Sequence, residues 1–139
     1  MLRNIKRLNK FKVISLLTSG LYFYLFILLL MFPESLCKDV GITGSPGLYF
    51  LARRTSALML GFAVLLFCTR NTLPSVARQA IAISVSINML GFALSGTYGL
   101  ICGIVNTSIL NAIIIEICVA AAFFLLLISD RRQLKKQGI

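Results

Sequence analysis

Four long apolar segments constrain the fold of this chain more than any other feature of its sequence. They cover residues 13–32, 48–68, 79–98 and 107–129. A helix that crosses a hydrocarbon layer about 30 Å thick needs roughly 20 apolar residues, because it rises about 1.5 Å per residue. Each of the four segments meets that length. The sequence therefore predicts an all-α, polytopic membrane protein with four transmembrane helices.

Composition supports lipid rather than water as the surrounding solvent. Of the 139 residues, 58% are hydrophobic and only 13% are charged, whereas soluble domains carry roughly 25% charged residues. The basic start of the chain is similar to a signal peptide. The first apolar run is longer than the usual signal core, however, and no A-x-A-like cleavage site follows it, so we expect it to be retained as a transmembrane helix.

The connections between the apolar segments are short, which favours antiparallel neighbours in one up-down-up-down bundle. We therefore expect a single domain over residues 1–139. The longest connection, residues 33–47, contains Pro33, Pro46 and three glycines. Because proline and glycine interrupt regular structure, this connection is predicted to be an irregular loop.

The distribution of basic residues predicts the orientation. Four crossings place 11 of the 14 lysines and arginines on one side: Arg3, Lys6, Arg7, Lys10, Lys12, Arg70, Arg78, Arg131, Arg132, Lys135 and Lys136. Since basic residues concentrate in cytoplasmic loops and tails, we expect both termini in the cytoplasm. The formal net charge of +10 then needs no nucleic acid, and Arg54, Arg131 and Arg132 are expected to contact lipid headgroups.

The sequence lacks the residues that metal binding and several kinds of catalysis usually require. The chain has no histidine, which removes the commonest ligand of zinc and haem, and no cysteine spacing is typical of a metal site. It has no P-loop, no G-x-S-x-G and no acid pair at catalytic spacing. We therefore expect no enzymatic activity, no cofactor and no metal. A disulfide between Cys37 and Cys102, both in predicted outer connections, stays open.

Glu116 lies near the middle of the apolar run "NAIIIEICVAAAFFLLL". Its helical neighbours Ala112 and Ala120 form a face of small residues, which is typical of close helix packing in membranes. In the third segment, Ser84, Asn88, Gly91 and Ser95 form a stripe of small or polar residues at helical spacing.

In the second segment, Arg53 is followed at helical spacing by Ala57 and Gly61, which predicts that Arg53 points inward. We expect Arg53, Ser84, Asn88, Ser95 and Glu116 to form a buried polar cluster. Either Glu116 pairs with Arg53, or it is protonated. The cluster is either a structural clamp that fixes the order of the helices or a proton or ligand site.

The stretches "GLYFLARRTSALMLGFAVLLFCTRN" and "VARQAIAISVSINMLGFALSGTYGL", together with the final apolar helix, resemble the small four-helix bacterial membrane proteins of the DoxX-like type. This resemblance covers roughly residues 48–129. It implies a four-helix layout, a location in a bacterial inner membrane and, for some members, an accessory part in redox or stress systems. Among the site residues it points only to Arg53 or Arg54.

Three function classes are compatible with the sequence. The first, which we favour, is a non-enzymatic accessory or interaction subunit that binds a membrane-protein partner or a second copy of itself within the lipid bilayer. The second is a small proton-coupled transporter that uses Glu116. The third is an immunity protein against a pore-forming bacteriocin, since several of these are also short, basic, four-helix proteins.

Overall fold

The computed structural model describes the backbone of residues 2–136 and the side chains of residues 10–132. Five helices form within these residues: α1 (Leu2–Met31), α2 (Pro33–Asp39), α3 (Pro46–Thr69), α4 (Val76–Ile101) and α5 (Ile109–Lys136). All except the short α2 are long and apolar enough to cross a membrane. The predicted four-helix transmembrane bundle is therefore confirmed.

Serine residues determine where α3 and α4 begin. The hydroxyl of Ser45 accepts a hydrogen bond from the backbone N–H of Leu48, and that of Ser75 accepts one from Arg78, each at 3.3 Å. A serine in this N-cap position satisfies a backbone donor that the first turn leaves free, and Pro46 suits the first helical position of α3. These caps explain why the helices begin before the predicted positions 48 and 79.

The prediction of an irregular loop over residues 33–47 is wrong for its first half, which forms α2. Pro33 occupies the start of this helix, where its fixed φ angle suits helical geometry and its missing N–H is not needed. Glu34 lies in the first turn and Lys38 in the last turn, so both charges complement the helix dipole. Proline here begins a helix rather than interrupting one.

Helix α1 begins at Leu2 rather than at residue 13, although its membrane-spanning part is Lys10–Met31. Lysine, arginine and leucine favour helices, so the basic residues continue the helix out of the apolar layer. The predicted tail residues whose side chains lie outside the described residues are Arg3, Lys6, Arg7, Lys135 and Lys136.

The bundle consists of two closely packed helix pairs. Helix α1 packs along α3, α4 packs along α5, and fewer contacts between α1 and α5 join the pairs. One hydroxyl-to-carbonyl hydrogen bond crosses each pair, from Ser19 Oγ to Ala63 O at 2.7 Å and from Ser86 Oγ to Ala120 O at 3.3 Å. Small residues at these crossings let the backbones approach, as in other membrane helix pairs.

The two ends of the bundle differ. The terminal end is the end at which α1 begins and α5 ends, and it carries Phe11, Thr72 and Arg78. The loop end carries α2 and the connections 40–45 and 102–108. At the loop end, Asn106 donates its backbone N–H to Val40 O at 2.8 Å and its Nδ2 to Asp39 O at 3.0 Å.

Backbone geometry allows this contact between the two loop-end connections. Gly41 has a φ of 80°, and a Cβ at this position would lie 3.1 Å from the Asn106 side chain. A larger residue would therefore be both strained and crowded. The open question of a disulfide at this end is answered for the described structure, because Cys37 and Cys102 are free thiols.

Candidate functional site

The structure does not bury the predicted polar cluster as a unit. The side chains of Arg53, Ser84 and Ser95 are exposed, and those of Asn88 and Glu116 are half-buried. The prediction of burial is therefore wrong for the first three residues in the described chain. Their use as a site stays a prediction.

Small residues occur on two sides of helix α4, which explains why Ser84 and Ser95 were predicted to be buried. The side that packs against α5 carries Ala82, Ser86 and Ala93, all buried. The predicted stripe, which includes Ser84 and Ser95, lies on the opposite side by helix geometry. Small residues indicate that a helix can be approached closely, but they do not indicate which helix approaches it.

Helix α3 shows the same effect. Its buried face consists of Ser56, Met59, Ala63 and Leu66, and Arg53 lies on a different side of the helix. Instead of pointing at Glu116, Arg53 lines an open cavity at the loop end. The ion pair among the described residues joins two other side chains, so the first of the two alternatives for Glu116, a pair with Arg53, is not formed in this structure.

Glu116 has a different neighbour, Tyr22, which the sequence pattern presented as a packing residue. Tyr22 is 0% exposed, and its ring stacks on Phe62 with centroids 5.2 Å apart. Its hydroxyl is buried and has no hydrogen-bond partner within the described residues. Glu116 lies close enough to act on this hydroxyl electrostatically.

Asn88 lies at a similar depth. The register of the antiparallel pair α4–α5 is fixed by the hydrogen bond from Ser86 to Ala120. Counting in opposite directions from that contact places Asn88 and Glu116 within about one helical turn of each other along the membrane normal. Tyr22 and Glu116 interact electrostatically, and Asn88 lies at a similar depth to Glu116 but on the outward side of α4. We call these three residues the mid-span polar layer.

The mid-span polar layer contains polar groups that lipid cannot satisfy. No side-chain hydrogen bond of Asn88 or Glu116 is formed within the described part of the chain. A carboxyl group at such a depth can exchange a proton or hydrogen-bond a polar ligand, and ionisable residues inside membranes mark such sites by default. This layer is the candidate functional site.

A second polar centre, at the terminal end, was missed by sequence reasoning. Arg78 and Asp130 are buried, with their side chains 1% and 2% exposed. Arg78 Nε lies 2.8 Å from Asp130 Oδ2, a close ion contact that is not aligned for a hydrogen bond, and Arg78 Nη2 donates to Oδ1 at 3.2 Å. Arg78 Nη1 donates to the carbonyl oxygen of Thr72 at 3.0 Å, and the guanidinium lies 3.9 Å from the ring centroid of Phe11.

These contacts connect three helices at one level. Arg78 belongs to α4, Asp130 to α5 and Phe11 to α1. A charged pair buried in this way tolerates desolvation because each partner is neutralised and hydrogen-bonded, and the aromatic face adds a cation–π contact. The charged groups of Arg78 and Asp130 bind each other, so we interpret this pair as a structural clamp between the helices.

The sequence contained one signal for this clamp. Asp130 is the only acidic residue in "SDRRQLKK", and the chain has four acidic residues in total. Positive-inside reasoning counted Arg78 as a solvated loop charge, and the predicted fourth segment ended at residue 129. An acid retained in a basic segment at the membrane boundary predicts a specific partner, and Arg78 is the basic residue at the matching boundary of the preceding helix.

The residues predicted to contact lipid headgroups, Arg54, Arg131 and Arg132, all have exposed side chains. Their contact with headgroups stays a prediction. Among the described residues, no group of three or more histidine, cysteine, aspartate or glutamate side chains is placed to hold a metal ion.

No family model, curated protein or solved structure matches this chain. The class of protein therefore follows from its own fold. It is a multi-pass membrane protein, a bundle of four apolar helices in contact with a lipid bilayer. The resemblance to DoxX-like proteins stays a prediction.

Proposed function

We propose that the protein is a non-enzymatic accessory or interaction subunit of the bacterial inner membrane, and that it binds a transmembrane helix of another membrane protein through α4. The observation that supports this is the outward side of α4. Ser84, Gly91 and Ser95 are exposed there, and the half-buried Asn88 lies between them. All four lie within the candidate span Val76–Ile101.

In a bilayer, such a surface favours association with a second helix. Lipid tails offer no hydrogen-bond partner to the Asn88 amide, and small residues let a second helix approach closely enough for packing and interhelical hydrogen bonds. The opposite side of α4 is already occupied by α5. A partner helix would therefore cover polar groups that the chain itself leaves uncovered.

The experiment uses the Gly91→Leu variant. A Cβ at Gly91 would meet no atom within 4 Å in this chain, so leucine fits the isolated fold but blocks close approach of another helix. Gly61→Leu is the matched control, because Gly61 is equally open on α3. We expect the wild type and Gly61→Leu to co-purify with a stoichiometric membrane protein in mild detergent, and Gly91→Leu to lose it while keeping its helix content.

Two results would contradict the proposal. One is retention of the partner by Gly91→Leu, which would place the interface elsewhere. The other is purification of the wild type as an isolated 15.3 kDa chain. A homodimer that Gly91→Leu dissociates would preserve the α4 interface and replace the other membrane protein with a second copy.

The proposal includes an orientation with both termini in the cytoplasm. Its support is the excess of basic residues at the terminal end, where Arg78 contacts both Thr72 and Asp130. In a cysteine-free background, single cysteines near Thr72 and at the C-terminus should be labelled from the cytoplasmic side. Cysteines near Thr43 and Val105 should be labelled from outside. Labelling of position 43 and the C-terminus from the same side would contradict this topology.

A second candidate function is proton-coupled transport through Glu116. The absence of a side-chain hydrogen bond for Glu116 within the described residues, and its proximity to the Tyr22 hydroxyl, favour it. In proteoliposomes with an imposed pH gradient, Glu116→Gln should abolish any proton-coupled flux, while the control Asp39→Asn, which alters an exposed carboxylate, should preserve it. Equal flux in both variants would exclude Glu116 as the coupling residue.

A further inference from the structure

A cavity of about 420 Å³ opens at the loop end, between the end of α1, α2 and α3. Its lining combines apolar and charged side chains: Met31, Phe32, Pro33, Glu34, Ser35, Lys38 and Arg53. Its size lies within the range of small-molecule sites, roughly 300–1,000 Å³. Glu34, Lys38 and Arg53 form no ion pair within the described residues, so two cationic groups and one carboxylate are available to a ligand.

A second cavity, of about 370 Å³, is an apolar groove between α1 and α3. Helix α1 contributes Leu16, Ser19, Gly20 and Phe23, and α3 contributes Leu60, Ala63, Val64 and Phe67. Ser19 uses its hydroxyl to bond Ala63 O, so the groove presents mainly hydrocarbon. Gly20 has no atom within 4 Å of a Cβ position, which keeps the groove open.

The two cavities lie on the same side of the α1–α3 pair. On α3, Arg53 of the first cavity shares a helical face with Leu60, Val64 and Phe67 of the second, at i, i+7, i+11 and i+14. On α1, Met31 of the first cavity shares a face with Gly20 of the second, at i+11. Leu60 to Phe67 lie roughly 10 to 20 Å below Arg53 at about 1.5 Å per residue.

One lipid leaflet is about 15 Å of hydrocarbon, half of a 30 Å layer. The first cavity is therefore at headgroup level, and the upper part of the groove, at Phe23 and Leu60, lies within reach of an acyl chain, whereas Phe67 is two residues before the end of the span Pro46–Thr69. We call the first cavity and this upper part of the groove the seam. A charged cavity above an apolar groove is the shape and polarity of a single phospholipid.

We propose that this seam binds one phospholipid with a primary-amine headgroup. Arg53 and Lys38 hold its phosphate through charge-assisted hydrogen bonds, Glu34 accepts hydrogen bonds from its ammonium group, and one acyl chain lies in the groove. Glu34 determines which headgroup the site prefers. A quaternary choline has no N–H to donate, and a headgroup with no cation leaves the carboxylate beside the phosphate unpaired.

The experiment is native mass spectrometry of the delipidated full-length protein in detergent, with phosphatidylethanolamine, phosphatidylcholine or phosphatidylglycerol added in turn. We expect one phosphatidylethanolamine to bind about tenfold more tightly than either other lipid, the ratio that one charge-assisted hydrogen bond of about 1.4 kcal/mol confers. Equal retention of all three lipids would overturn the proposal.

Matched variants separate the parts of the site. Arg53→Gln should bind phosphatidylethanolamine about tenfold more weakly than wild type. Arg54→Gln should bind it as tightly as wild type, because Arg54 is exposed and does not line the cavity. Glu34→Gln should keep phospholipid binding but lose the preference for the amine. Identical losses in Arg53→Gln and Arg54→Gln would reduce the site to surface charge and overturn the proposal.

The groove is tested with Gly20→Leu, which fills it, and Gly91→Leu serves as the control on α4. Gly20→Leu should weaken lipid binding, and Gly91→Leu should leave it unchanged. Soluble glycerophosphoethanolamine, which has no acyl chain, should compete poorly. If it binds as tightly as the lipid, the site recognises a free phosphate compound and the lipid proposal fails. The lipid site is tested at Gly20, Glu34 and Arg53, whereas the α4 interface is tested at Gly91, which serves here only as a control, so the two proposals can fail separately.

Discussion

Two arginines near the beginnings of their helices have opposite environments at the two ends of the bundle. Arg78 lies in the first turn of α4 at the terminal end, where its side chain is 1% exposed and contacts Asp130, Thr72 and Phe11. Arg53 lies in the first third of α3 at the loop end, where its side chain is exposed and lines a cavity with Lys38 and Glu34.

The difference shows that each end is held together by a different kind of contact. At the terminal end a buried ion pair joins α4 to α5, and such a pair persists only when both partners are present. At the loop end the contacts between connections are hydrogen bonds to backbone carbonyl oxygens from Asn106. The charges there contribute little to the fold and are available to a ligand.

Removal of Asp130 should have the largest effect. Asp130→Ala leaves the buried Arg78 guanidinium without its counter-ion, and we expect the free energy of unfolding to fall by about 3–5 kcal/mol. Denaturant titration in one detergent, followed by circular dichroism, measures this. The Arg78→Met/Asp130→Leu double variant should recover most of the loss, because it leaves no unpaired charge. A loss below about 1 kcal/mol in Asp130→Ala would show that the clamp does not hold the terminal end.

An intermediate effect is expected at the loop end. Asn106→Ala removes the hydrogen bond to Asp39 O and the one that its Oδ1 accepts from the Ser108 N–H. We expect a loss of about 1–2 kcal/mol, since partly exposed hydrogen bonds contribute about 1 kcal/mol each. Asn71→Ala, at an exposed turn of the terminal end, is the matched control and should be neutral in the same titration. A loss as large as that of Asp130→Ala would remove the distinction between the two ends.

The smallest effect should come from Arg53. In detergent without added phospholipid, Arg53→Ala should change the free energy of unfolding by no more than about 0.5 kcal/mol, as is usual for an exposed side chain without a fixed partner. The same titration against wild type tests this. A loss of several kcal/mol would show that Arg53 has a buried partner and would support a pair between Arg53 and Glu116.

Among predictions that depended on local properties, the number of spanning helices was confirmed, but the helix ends and the short α2 were not predicted. Segment length and hydrophobicity identified four spanning helices, because a helix satisfies its own backbone hydrogen bonds and needs only enough apolar residues to cross the bilayer. Helix boundaries shifted where capping was not considered, at Ser45 and Ser75. Helix α2 was missed because Pro33 was interpreted as a breaker rather than as a first helical residue.

Predictions that depended on which side of a helix meets which neighbour were less successful. Glu116 and Asn88 are half-buried and their use as a site stays a prediction, whereas Arg53, Ser84 and Ser95 were assigned to the wrong side. Tyr22 resembled any aromatic packing residue until the structure placed its hydroxyl near Glu116.

The sequence by itself determined that this chain is a membrane-spanning bundle of four helices, because the lipid requirement acts on each segment separately. Only the tertiary structure decided that α1 pairs with α3 and α4 with α5, that Arg78 meets Asp130, and that Arg53 stays open to a ligand. Helix rotation and pairing depend on side-chain fit between segments that are far apart in the chain. Small residues on more than one side of a helix, as on α4, leave that fit undetermined until the helices are packed.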